Sequence, residues 1–188
     1  MKRSTATISI PNILTVVRIL LTPVFVIMLQ QQLYSHALLV FAVAGLSDAL
    51  DGFIARYFNQ RTVLGAYLDP MADKLLLVSA YVMLGMLDVL PDWIAVIVIA
   101  RDVIIVLGIA IITLTDKAYE VRPSLVSKAT TLTQILLVLL CLFDPVAAKM
   151  PALHTPLVWC TAVLTTLSGL HYIYIGMSIL QENNEKTQ

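Results

Sequence analysis

Long apolar runs alternate with short polar or proline-containing breaks along the chain, and this rhythm predicts six helices at about residues 12–32, 34–56, 65–87, 91–115, 125–143 and 153–180. Each run is near the ~20 apolar residues that a helix needs to cross a ~30 Å hydrocarbon layer. The expected fold class is all-α integral membrane, six transmembrane helices forming a single domain over residues 1–188. Residues 4–11, with Ile8, Ile10 and Pro11 among Ser and Thr, read either as a short N-terminal interfacial segment or as a plain terminus.

Composition strengthens the membrane reading. Of 188 residues, 59% are hydrophobic and 13% charged, and six crossings leave no room for a separate soluble domain. Zero net charge with scattered Lys and Arg excludes a nucleic-acid partner. Cys141 and Cys160 lie in apolar stretches without metal-ligand spacing, so both are expected to be packing residues with no disulfide. The opening "MKRSTATISIPN" is too short and polar for a signal peptide and lacks the length of a transit peptide. The chain is therefore expected to be the mature protein, in a bacterial inner membrane.

Basic residues set the expected orientation, because Lys and Arg in short loops stay cytoplasmic. Lys2, Arg3, Arg56, Arg61, Lys117, Arg122 and Lys186 fall on one side, while the opposite loops hold Asp88, Asp92 and Asp144 against Lys149. Both termini and the connection between the second and third helices are thus expected in the cytoplasm.

That connection is flanked by four aspartates. Asp48, Asp51, Gly52, Ala55 and Arg56 share one face of the second helix, and Gly65, Asp69 and Asp73 share one face of the third. Two acidic stripes joined by a short loop are expected to lie side by side. Pro70 leaves two readings of the third helix: a start at Asp69 after irregular backbone over 62–68, or an earlier start with a kink. A carboxylate at membrane depth costs about 2.5–3.5 kcal/mol on insertion scales, so the quartet demands cations. The competing reading, ordinary loop acids paired with Arg56, Arg61 and Lys74, offers three cations for four acids and gives the glycines no purpose. Hard divalent cations take oxygen ligands, and two of them in a carboxylate quartet suit phosphoryl or phosphatidyl transfer. Gly52, Ala55 and Gly65 would then let a pyrophosphate approach the helix backbone. Small-residue helix packing explains them too, and for Ala55 the two readings stand level.

The run Asp48-x2-Asp51-Gly52-x2-Ala55-Arg56-x8-Gly65-x3-Asp69-x3-Asp73 resembles, with no member missing, the signature of the CDP-alcohol phosphatidyltransferase family. The resemblance implies an integral membrane enzyme that binds CDP-diacylglycerol, displaces CMP and joins the phosphatidyl group to an alcohol. It implies that Asp48, Asp51, Asp69 and Asp73 hold two divalent cations, Mg²⁺ or Mn²⁺, with Asp73 as the catalytic base. It further implies that Asp48, Gly52, Ala55, Arg56, Gly65 and Asp69 serve CDP binding, and that two copies pair as a homodimer.

The opening "IPNILTVVRILLTP" resembles one shared by phosphatidylglycerophosphate synthases and the cardiolipin synthase branch of that family, whereas "FAVAGLSDALDGFIARYFNQRTVLGAYLDPMADK", "ARDVIIV" and "RPSLVSKATTLTQ" resemble most the cardiolipin synthase branch. The glycerophosphate-using branch usually has Arg-Glu where this chain has Arg101-Asp102, another arginine at the position of Ile109 and a lysine at that of Thr130. A dianionic glycerol 3-phosphate needs more cations than monoanionic phosphatidylglycerol, so phosphatidylglycerol is the expected acceptor and glycerol 3-phosphate the alternative. An ion transporter and an inactive scaffold are the rivals from other classes.

Asn12, Thr15 and Arg18 recur every three residues and are expected to help form the nucleotide or headgroup pocket; Asn12 as a cap and Arg18 as a lipid-phosphate contact are equally open. Arg101, inside an apolar span, is expected to reach a substrate phosphate or an aspartate, with Asp102 disfavoured because adjacent helical residues point apart. Lys128 reads as a phosphate contact or as a snorkelling lysine. Gln134 reads as a packing donor, Tyr172 and Tyr174 as belt or core, and His36, His154 and His171 carry no assigned chemistry.

Overall fold

The computed structural model describes the backbone of residues 10–57, 63–114, 125–143 and 151–185, and the side chains of 15–47, 72–108, 126–143 and 152–178. The described residues form six helices and no strand: α1 (Ile10–Gln30), α2 (Tyr34–Tyr57), α3 (Val63–Met86), α4 (Asp92–Leu114), α5 (Leu125–Phe143) and α6 (Pro151–Glu185). They follow the six apolar runs closely. α3 begins at Val63 and continues through Pro70, so the earlier of the two starts holds. The expected interfacial segment at 4–11 lies outside the described residues except for Ile10 and Pro11, which open α1.

The helices alternate in direction. Phe25 on α1 meets Phe41 on α2 with ring centroids 5.7 Å apart, next to the tight turn at 31–33. α2 touches α3, and a five-residue connection reaches at most about 20 Å, too short to return along a 24-residue helix of roughly 36 Å, so the two are antiparallel. α4 and α6 run parallel, since Trp93 stacks near Trp159 (5.5 Å) while Arg101 meets Ser168. α5 runs against α6, with Thr130 Oγ1 donating to Leu164 O (3.0 Å) and Thr161 Oγ1 to Thr133 O (3.5 Å). α1 packs broadly on both α2 and α3 and so lies between the two acidic helices; α2 and α3 touch only sparingly, less than two adjoining stripes lead one to expect.

Burial is divided along the bundle axis. Phe25, Leu29, Phe41, Leu77, Tyr81, Leu84, Ile94 and Leu142 fill an apolar core towards the turn at 31–33. Nearer the end that carries the aspartates, the buried residues include Thr15, Arg18, Arg101, Asp102, Thr130 and Ser168. Gln134, fully buried, donates from Nε2 to Thr165 Oγ1 at 3.2 Å and holds α5 to α6 as a packing donor. Cys141 is buried, but Cys160 is exposed, because its position on α6 faces outward; it is not the packing residue expected of it.

The outside is apolar as well. Leu20, Leu39, Val96, Val106 and Phe143 are all more than 60% exposed, an exterior that suits lipid better than water. Among the described residues, Val126–Phe143 and Ala152–Ser178 are long and apolar enough to cross a membrane, and Thr15–Gln30 and Tyr34–Ser47 are shorter apolar stretches.

Two helix ends carry a stability cost. α1 ends with Leu33 N–H bonded to Met28 O and Gln32 N–H to Leu29 O; α3 ends with Val89 N–H on Leu84 O and Asp88 N–H on Gly85 O. This six-to-one and five-to-two pattern places one left-handed residue after each helix, here Gln32 (φ 58°) and Asp88 (φ 55°). Left-handed backbone costs a non-glycine residue about 1–2 kcal/mol, less for Asp than for Gln. Gln32→Gly is therefore expected to stabilise by about 0.5–1 kcal/mol and Asp88→Gly by less, after the flexibility of glycine in the unfolded chain is subtracted. A rise in thermal midpoint, larger for Gln32→Gly, checks this.

Candidate active site

The aspartates sit where α2 ends and α3 begins. α2 is continuous through Asp48 and Asp51, and α3 through Asp69 and Asp73, so each pair lies one turn apart on its own helix. The side chains of Asp48, Asp51 and Asp69, with those of Gly52, Ala55, Arg56, Gly65 and Asn12, lie outside the described positions. Asp73 is partly buried and holds an interaction of its own.

α1 lines the neighbourhood with a single face. Thr15, Arg18, Thr22, Phe25 and Leu29, spaced three and four residues apart, are its buried positions. The face passes from polar to apolar along the helix. Arg18 is fully buried, which separates it from bulk lipid headgroups, and its carbonyl accepts from Thr22 Oγ1 at 3.0 Å.

The principal polar cluster among the described residues joins four helices. Lys74 Nζ on α3 lies 2.8 Å from Asp102 Oδ1 on α4, and Arg101 Nη1 donates to that same oxygen at 2.7 Å. Arg101 Nη2 donates to Ser127 Oγ on α5 at 2.7 Å and to Ser168 Oγ on α6 at 3.1 Å, and Nε reaches Ser168 Oγ at 3.3 Å. The guanidinium carbon lies 6.0 Å from the centre of the Tyr172 ring. Asp102 Oδ2 is buried with no hydrogen-bond partner.

This cluster corrects one expectation. Arg101 does reach an aspartate, but that aspartate is Asp102. Neighbouring residues leave a helix about 100° apart, yet the long arginine side chain bends back to a carboxylate that water cannot solvate. Lys74 is bound to Asp102, so it is not a counter-ion reserved for the quartet. Lys128 is exposed on α5. Ser127, Ser168 and the role of Asp102 escaped sequence reasoning; the trace that leads to them is Arg101 itself, since a charge buried in an apolar helix needs hydroxyl or carboxylate partners nearby. Of the aromatic pair, Tyr174 is exposed and Tyr172 faces the arginine.

The donor chemistry fits divalent metal. Four carboxylates on two helices supply the hard oxygen ligands that Mg²⁺ and Mn²⁺ prefer, and Lys74, the nearest described cation in sequence, is already engaged elsewhere.

Comparison with known proteins brings a family match. A family model described as CDP-alcohol phosphatidyltransferase matches residues 8–167. The chain is 36% identical over 190 residues to a cardiolipin synthase (CMP-forming) of Homo sapiens, covering 92% of this chain and 63% of that protein. A cardiolipin synthase (CMP-forming) of Streptomyces coelicolor is 37% identical over 111 residues, 56% of this chain and 52% of that protein. A probable phosphatidylglycerophosphate synthase of Mycobacterium tuberculosis is 31% identical over 172 residues, 88% and 80% of the two chains. The chain thus spans less than two thirds of the human relative's length.

Proposed function

Because the chain belongs to the CDP-alcohol phosphatidyltransferase family, we propose that it is a cardiolipin synthase, transferring the phosphatidyl group of CDP-diacylglycerol to phosphatidylglycerol with release of CMP. The observation that carries this is the intact signature on two continuous helices, Asp48 and Asp51 on α2, Asp69 and Asp73 on α3.

Asp48, Asp51, Asp69 and Asp73 would hold two divalent cations, which neutralise charge on the diphosphate and on the leaving CMP. Asp73 accepts the proton of the acceptor hydroxyl. The hydroxyl oxygen forms a bond to the phosphorus that carries the diacylglycerol, and the bond from that phosphorus to the CMP oxygen breaks. Gly52, Ala55 and Gly65 leave space for the diphosphate, and Arg56 pairs with its oxygens in forked geometry. Asn12, Thr15, Arg18, Arg101 and Lys128 are the proposed acceptor or phosphate contacts. Arg101 would meet a phosphate while already donating to Asp102, Ser127 and Ser168.

The same proposal places all six helices across a bacterial inner membrane, with both termini and the acids facing the cytoplasm, following the basic residues of the loops. It includes pairing of two copies.

The test supplies purified protein with CDP-diacylglycerol, Mg²⁺ and one acceptor at a time. CMP release with phosphatidylglycerol, abolished by EDTA and restored by Mg²⁺ or Mn²⁺, is expected. Turnover with glycerol 3-phosphate alone would make the protein a phosphatidylglycerophosphate synthase, and ion flux without CMP release a transporter.

A further inference from the structure

The geometry points to Asp102 as a positioning residue for the phosphatidyl transfer: it grips Lys74, the residue after Asp73, and so fixes the rotation of α3 that presents Asp69 and Asp73. The assignment rests on the functional reading above.

Two observations carry it. The first is the bridge itself, 2.8 Å from Lys74 Nζ on α3 to Asp102 Oδ1 on α4. The second is the rigidity of its anchor. The Asp102 side chain is 9% exposed and is held by Arg101, which is tied in turn to Ser127 on α5 and Ser168 on α6. The bridge therefore connects α3 to the whole of the α4–α6 half.

Lys74 leaves the helix roughly 100° around from Asp73. A tether at residue 74 thus resists rotation of α3 about its axis, the motion that would turn Asp69 and Asp73 away from α2. Lys74 suits this task because its ammonium is a compact charge on a long stem, and a third of its side chain remains exposed beside the site.

Lys74→Met removes the bridge while leaving the Arg101–Asp102 pair intact, so the buried charges stay compensated and the fold is retained. In the full chain, Lys74→Met is expected to lower kcat roughly 100-fold, the loss that about 1 Å of misplacement causes, with KM for CDP-diacylglycerol within about twofold. Asp102→Asn, which also weakens the Arg101 pair, should lower kcat at least as far, and the double variant should fall no lower than Asp102→Asn alone, because the bridge is already cut in it. Lys74→Arg, which restores the charge pair, should recover most of the turnover. The Mn²⁺-induced rise in melting temperature, read without substrate, should shrink in Lys74→Met and return in Lys74→Arg. Wild-type kcat and an undiminished Mn²⁺ response in Lys74→Met, or losses that multiply in the double variant, would overturn the role of Asp102. If wild-type protein releases no CMP with either acceptor, the functional reading fails, and the Mn²⁺ response still decides whether the bridge positions the acids.

Discussion

Asp73→Asn is expected to lower CMP release by roughly 10²–10⁴-fold, the range that a positioned general base contributes, with the protein still folded and its melting temperature little changed. Asparagine matches aspartate in shape, so the packing of this position is kept. It cannot accept the acceptor's proton, and it supplies a weaker, neutral ligand to a divalent cation. Both losses act on kcat, whereas the CDP contacts proposed on α2 are untouched and KM for CDP-diacylglycerol should move far less. Single-turnover CMP release at saturating Mg²⁺ is the measurement. Turnover within a few-fold of wild type would remove Asp73 from the base role.

Arg101→Leu is expected to produce the largest loss of stability among single changes in the bundle. Leucine fills much of the space but removes every contact of the guanidinium. Asp102 keeps Lys74, while Ser127 and Ser168 lose a charged donor. Losing the charged hydrogen bonds to Asp102, Ser127 and Ser168, with Asp102 still compensated by Lys74, costs about 2–3 kcal/mol, which for a chain of this size corresponds to a fall in melting temperature of roughly 5–10 °C. Arg101→Lys should fall in between, because one ammonium cannot serve Asp102, Ser127 and Ser168 in the planar fork of the guanidinium. Equal melting temperatures for Arg101→Leu and wild type would show that the cluster contributes no net stability.

The helices were legible because each is a long, mostly apolar run bounded by polar or proline-containing breaks, and their ends shift by only a few residues. α6 shows where that reading stops. Hydropathy ends it near residue 180, yet the helix continues to Glu185, because polar residues such as Gln181 and Glu182 form helix as readily as Leu does. Pro70 was ambiguous for a related reason: sequence rules place proline in a first turn, but a helix enclosed by neighbours tolerates the missing N–H.

Within the site, the pairing of each two aspartates on one helix face follows from spacing alone, and α3 extending back to Val63 keeps Asp69 and Asp73 on a single helix. The cluster around Arg101 was only half legible. A buried arginine announces that partners exist, but isolated serines carry no periodic pattern, so Ser127 and Ser168 emerge only once α5 and α6 are set beside α4. The Arg101–Asp102 contact was misjudged because the directions of Cβ atoms say little about where a side chain with four rotatable bonds can end.

That contact also bears on biogenesis. Since donor and acceptor are consecutive in the chain, α4 brings its own counter-ion when it leaves the ribosome, before α5 and α6 have been synthesised. The segment emerges with its arginine already paired, and the later helices then close Ser127 and Ser168 around it.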